Sequence, residues 1–190
     1  MNYLNFLEWN RKLRTKLFQP LARFLLKLKF TANRMTFLSF LLGLACVYFL
    51  FQNYLLFFLF GAFHLLADGL DGVLARLTKI SKFGSYFDFF TDRTIFFLIL
   101  IKLYLRLNDY YILIIAGLAF LQHLFFVLSK FEYPVLFFRT SGLVYLAFSP
   151  LFLLESFLTF GYLVVGALSL FILLLQLKTF LRKKSLAPTP

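Results

Sequence analysis

The chain has 190 residues, 62% of them hydrophobic, a mean hydropathy of +0.85 and a formal net charge of +12. Soluble domains carry about 45–50% apolar residues, so the composition excludes an ordinary water-soluble globule. Apolar runs that are continuous rather than alternating exclude a transmembrane barrel, and the basic excess fits cytoplasmic loops and anionic lipid contact, with no nucleic-acid partner expected. The single cysteine, Cys46, lies in an apolar run and cannot form an intrachain disulfide.

Residues 3–29 mix Arg11, Lys12, Arg14, Lys16, Arg23, Lys27 and Lys29 with Leu13, Leu17, Phe18, Leu21, Phe24 and Leu28. Charges this dense are incompatible with a spanning helix. The mixture predicts an amphipathic interfacial segment over residues 1–30, interrupted near Pro20. No uninterrupted apolar core precedes a small-residue cleavage site, so a signal peptide is not expected. Six apolar stretches follow, at about 35–52, 54–75, 84–105, 110–130, 137–154 and 157–178, each near the length needed to cross a bilayer. They predict an all-α, polytopic membrane protein, a single domain over 1–190 whose six-helix bundle occupies 31–182. With the N-terminus cytoplasmic, almost all of the 20 basic residues fall on one side, and the other side receives only Lys102 and Arg106. Both termini are therefore expected in the cytoplasm.

Half of the eight acidic residues, Asp68, Asp71, Asp88 and Asp92, lie between the second and third stretches. Residues three and four apart share a helix face. Asp68, Asp71, Gly72, Ala75 and Arg76 thus face one way on the second helix, and Gly84, Asp88 and Asp92 form a stripe on the third. A short loop makes the two helices antiparallel neighbours, so the acidic faces can meet near the cytoplasmic interface. A charge at the centre of a spanning helix costs about 2.5–3.5 kcal/mol, so four uncompensated carboxylates at mid-depth would cost on the order of 10 kcal/mol. Arg76 and Arg93 can neutralise two. The remainder calls for divalent cations, and an all-oxygen set favours Mg²⁺ or Mn²⁺ over zinc. Four carboxylates on two helices can hold two ions, an arrangement suited to displacement at phosphorus. Gly72 and Ala75 leave room for a ligand beside the backbone, or serve close helix packing.

These residues resemble the motif of the CDP-alcohol phosphotransferases, membrane enzymes of phospholipid synthesis. The motif reads Asp68-x2-Asp71-Gly72-x2-Ala75-Arg76, then Gly84-x3-Asp88-x3-Asp92, eight fixed positions over 25 residues. Thr31-Ala32-Asn33 with Thr36 is similar to the family's Thr-Pro-Asn start of the first spanning helix. Ala32 stands where the family usually has proline, and seven residues rather than eight separate Arg76 from Gly84. The resemblance implies six spanning helices behind an interfacial one, a homodimer, and transfer of the phosphatidyl group of a CDP-linked lipid to an alcohol acceptor with release of CMP. It implies that Asp68, Asp71, Asp88 and Asp92 ligate the metals and that Asp92 is also the general base. Asn33, Gly72, Ala75, Arg76 and Gly84 are implied to bind the nucleotide.

Lys130 and Arg139 flank the cytoplasmic ends of the fourth and fifth stretches. The resemblance implies binding of a phosphorylated acceptor there, and positive-inside anchoring accounts for them equally well. His64 lies one turn before Asp68; it is expected to pack between helices, and His123 and Tyr86 have no stronger claim. The competing class is a cation transporter or channel, since intramembrane acids often mark ion pathways. The acids cluster at one end, however, with no second cluster and no visible repeat. The sequence does not select among acceptors such as glycerol 3-phosphate, inositol phosphate and serine.

Overall fold

The computed structural model describes residues 3–78, 81–130, 132–133, 135–151 and 154–185, with side chains from Lys12 onward apart from 151, 154 and 183–185. Among the described residues every regular element is helical: α1 (Tyr3–Lys27), α2 (Ala32–Phe49), α3 (Tyr54–Leu77), α4 (Lys82–Leu107), α5 (Tyr111–Leu128), α6 (Arg139–Ala147), a 3₁₀ turn (Ser149–Leu151) and α7 (Leu154–Ser185). The helices form two compact units that divide within α4, one up to Ile95 and one from Phe96 onward.

In the first unit, polar side chains start the helices by accepting bonds from otherwise orphaned backbone N–H groups. Thr31 Oγ1 accepts from Arg34 N at 3.4 Å and starts α2; Asn53 Oδ1 accepts from Leu56 N at 3.1 Å and starts α3. Ser81 Oγ accepts from Gly84 N at 2.9 Å and starts α4. Left-handed residues stand just past the helix ends: Lys29 (φ 59°) after α1 and Phe51 (φ 68°) after α2.

α2 and α3 run antiparallel, as the contacts of Ser39 with His64, Cys46 with Phe57 and Phe49 with Phe60 require. Gly43 makes the approach possible. A Cβ there would stand 2.8 Å from Ile95 Cδ1 and 3.1 Å from His64 Nδ1. In lipid, where apolar transfer drives helix association weakly, such small-residue contacts carry packing. His64 is buried, with Nδ1 3.0 Å from Ser39 Oγ and 2.8 Å from Ser39 O, which is the interhelical packing role expected of it.

α1 lies on α3 through Phe18, Ala22, Leu25 and Leu26, which pack against a core of Ala67, Leu70, Val73 and Leu74 with Met35. The expected interruption at Pro20 does not occur; α1 is continuous from Tyr3 to Lys27. Pro20 forfeits one backbone bond, but its ring is exposed and the residues on either side of it are anchored on α3, so the turn is held from both ends. Leu13, Leu17, Leu21 and Phe24 on α1, with Leu28 just past its end, form a second, exposed apolar stripe.

In the second unit α5 and α7 pack side by side, with Gly166 against Ile115. α6 rests on α7, where Gly161 admits the Tyr145 ring and Tyr145 stacks on Phe157 at 4.0 Å.

Among the described residues, four helices are long and apolar enough to cross a membrane: α2, α3, α5 and residues 155–182 of α7. α4 has 26 residues but carries Lys82, Asp88, Asp92, Arg93, Lys102 and Arg106, so it lacks the apolar composition of the other four. Within the expected fifth span, 137–154, the described residues form the nine-residue α6 and a 3₁₀ turn containing Pro150 rather than one unbroken helix. Proline has no N–H for the helical ladder, and α6 by itself rises only about 14 Å.

Candidate active site

The C-terminal half of α3 and the N-terminal half of α4 carry the acidic motif. Asp68, Asp88 and Asp92 are each half-buried, and one carboxylate oxygen from each lies within 4.8 Å of the other two. Asp71 is not part of this triplet. It is buried at 6% exposure beside Thr36, and its Oδ2 has no hydrogen-bond partner among the described residues. A buried oxygen left so is costly and is suited to a cation or a ligand donor. Asp71 lines a cavity of about 100 Å³ with Asp88, Gly72, Ala75, Gly84 and Asn33. The donor set is all oxygen, as a hard divalent cation requires, and Asp68, Asp88 and Asp92 are the residues spaced to share one.

The two motif glycines have different causes. At Gly84 a Cβ would stand 2.8 Å from Asn33 Oδ1 and 2.9 Å from Ser81 Oγ, so a side chain would collide with the start of α2 and with the α4 cap. At Gly72 the nearest group is Arg76 Nη1 at 3.5 Å, an ordinary contact. Protein packing therefore tolerates a methyl at Gly72, and the space it would fill is the cavity. Arg76 is exposed, with its Nε donating to Thr15 Oγ1 of α1 at 3.2 Å. Arg93 is buried on α4, its guanidinium 4.9 Å from the centre of the Phe89 ring.

Ser81 and Ser85 also line the cavity, and the motif spacing did not single them out. The signal for Ser81 was a serine three residues before Gly84, the spacing of an N-cap to its third helical residue. Asn33 reaches the cavity through the start of α2, one turn before Thr36. In the second unit Lys130 is exposed with a left-handed backbone (φ 55°) just past α5, and Arg139 is buried at the first position of α6.

Long apolar helices that gather carboxylates around a small polar cavity define an integral membrane protein with an acidic site whose oxygens are spaced as a cation would need. The chain belongs to the CDP-alcohol phosphatidyltransferase family, which it matches over residues 29–181. It is also similar to an archaetidylinositol phosphate synthase of Pyrococcus horikoshii, 42% identical over 87 residues. That match spans 43% of this chain and 46% of the relative, less than half of its length.

Proposed function

We propose that the protein transfers the phosphatidyl-type group of a CDP-linked lipid to an alcohol bearing a phosphate, releasing CMP. The observation that carries this reading is the convergence of Asp68, Asp88 and Asp92, with buried Asp71, at the positions of the family motif. The acceptor class is supported by the cationic Arg139 and Lys130 and by the relative's name, which specifies an inositol phosphate product.

Asp68, Asp71, Asp88 and Asp92 would hold Mg²⁺ or Mn²⁺, two ions per site, and bound cations would supply charge neutralisation at the diphosphate. Gly72 and Ala75 leave the volume in which the nucleotide lies, and Asn33 and Gly84 border it. Arg76 presents a guanidinium fork to phosphate oxygens. Asp92 accepts the proton of the acceptor hydroxyl as its oxygen attacks the lipid-bearing phosphorus. The bond from that phosphorus to the bridging oxygen breaks, and CMP leaves with the electron pair. Arg139, with Lys130, holds the acceptor's phosphate. The same reading has six membrane crossings, α1 in the interface, both termini and the site on the cytoplasmic side, and a homodimer.

The test is to incubate purified protein with a CDP-linked lipid and a panel of glycerol 3-phosphate, inositol phosphate and serine. CMP release should require Mg²⁺ or Mn²⁺, stop on chelation and return on metal addition, with a phosphorylated product lipid identified by mass. Turnover of serine alone would overturn the acceptor class. Undiminished release after exhaustive chelation would remove the metal.

A further inference from the structure

Gln122 on α5 and Gln176 on α7 are fully buried, and the chemistry above uses neither. Amides inside apolar helices need partners, and in membrane proteins they commonly bond between helices. Gln176 Nε2 donates to Gln122 O at 3.0 Å, and Gln122 Nε2 donates to Leu136 O at 3.0 Å. Gln176 thus ties α7 to the α5 backbone at Gln122, and the Gln122 side chain ties α5 to the stretch entering α6.

Leu136 belongs to that stretch, which has no helical ladder of its own and leads directly into Arg139. An unbonded carbonyl in apolar surroundings is expensive, so the Gln122 amide fixes the backbone there. Two residues on, Phe138 is buried with its ring 6.0 Å from that of Phe96, and three residues on Arg139 is buried at 5% exposure. Ring packing at Phe138 and the Gln122 amide at Leu136 both hold the entry to α6. The Gln122 Oε1 atom has no hydrogen-bond partner among the described residues. Packing alone would be served by an apolar residue of equal length, without stranding that oxygen.

We propose that Gln122, itself tied by Gln176, is a positioning residue for Arg139: it sets the backbone at Leu136 and so the place where the guanidinium meets the anionic group of the acceptor. This rests on the reading of Arg139 as an acceptor-binding residue. A displacement of about 1 Å at such a group can cost as much as 100-fold, so a loss of about tenfold is expected when the amide is removed.

The experiment measures KM for inositol phosphate and for the CDP-linked lipid in the full-length protein. It compares wild type, Gln122→Met, Arg139→Ala and the double variant. Support is an acceptor KM raised about tenfold by Gln122→Met, an unchanged donor KM, and no further rise when Gln122→Met is added to Arg139→Ala. An unchanged acceptor KM in Gln122→Met, or an equal rise in both backgrounds, overturns the positioning role while leaving Arg139 in place. An acceptor KM unchanged by Arg139→Ala overturns the acceptor site and the positioning role together. Should Gln122→Met not fold, Gln122→Asn, whose amide falls one methylene short of Leu136 O, is read by the same criteria.

Discussion

At the scale of single residues, the acidic cluster divides into roles that substitution can separate. Asp92 belongs to the half-buried triplet, whereas Asp71 is buried with one oxygen unbonded. Asp92→Asn keeps the size of the side chain and removes its basicity. Turnover should fall about 10²–10⁴-fold, the range for loss of a general base, with CDP-lipid binding retained. Asp71→Asn should weaken metal and nucleotide binding together. Affinity and turnover measured on both variants check the split; equal binding losses would make Asp92 chiefly a ligand. The glycines give a second contrast. Gly84→Ala drives a methyl to 2.8 Å from Asn33 Oδ1 and should cost about 1–3 kcal/mol by overpacking. Gly72→Ala meets only Arg76 Nη1 at 3.5 Å and should leave thermal stability unchanged while weakening CDP-lipid binding. A Gly72→Ala variant that melts like Gly84→Ala would show that helix packing, not the cavity, selects glycine there.

At the scale of elements, α4 begins where Ser81 accepts the Gly84 N–H at 2.9 Å. That bond sets the first turn of the helix that carries Asp88 and Asp92. Ser81→Ala should cost about 1 kcal/mol, the usual loss for an N-cap. Ser81→Asp should restore most of it, since aspartate caps well and its charge suits the N-terminal end of the helix dipole. Thermal unfolding of the three proteins in one detergent is the check, and an Ser81→Ala variant as stable as wild type would remove the cap from the account. The Ser81→Asp variant adds an anion beside the cavity, so its stability and its activity should diverge.

At the scale of the whole molecule, the proposed orientation rests on lysine and arginine, which fall mostly on one side when six crossings are drawn from a cytoplasmic N-terminus. Cys46 is fully buried, so it gives little background in thiol labelling. Gln52→Cys, between α2 and α3, should be modified from outside intact cells, and Lys183→Cys should be modified only after permeabilisation. Labelling of position 183 alone would reverse the orientation and put the acidic site on the opposite side of the membrane.

How much was legible in advance follows from the range of the interactions involved. Spacing along a helix is local, so the sequence alone determined that Asp68, Asp71, Gly72 and Ala75 share a face and that Asp88 and Asp92 follow at one-turn intervals. It also determined the all-helical class, because long apolar runs in lipid must satisfy their own backbone bonds. It did not determine that α1 would run unbroken through Pro20, because the compensation comes from Ala67, Leu70, Val73 and Leu74 on another helix. Nor did it reveal that the described residues of the fifth apolar stretch would break into a nine-residue helix and a 3₁₀ turn, since hydropathy measures greasiness and not where a ladder stops. Only the tertiary structure separated Asp71 from the other three carboxylates, told Gly84 from Gly72 by what a Cβ would meet, and tied Gln122 to Leu136. Each of these depends on atoms distant in the chain and close in space, and no periodicity records such distances.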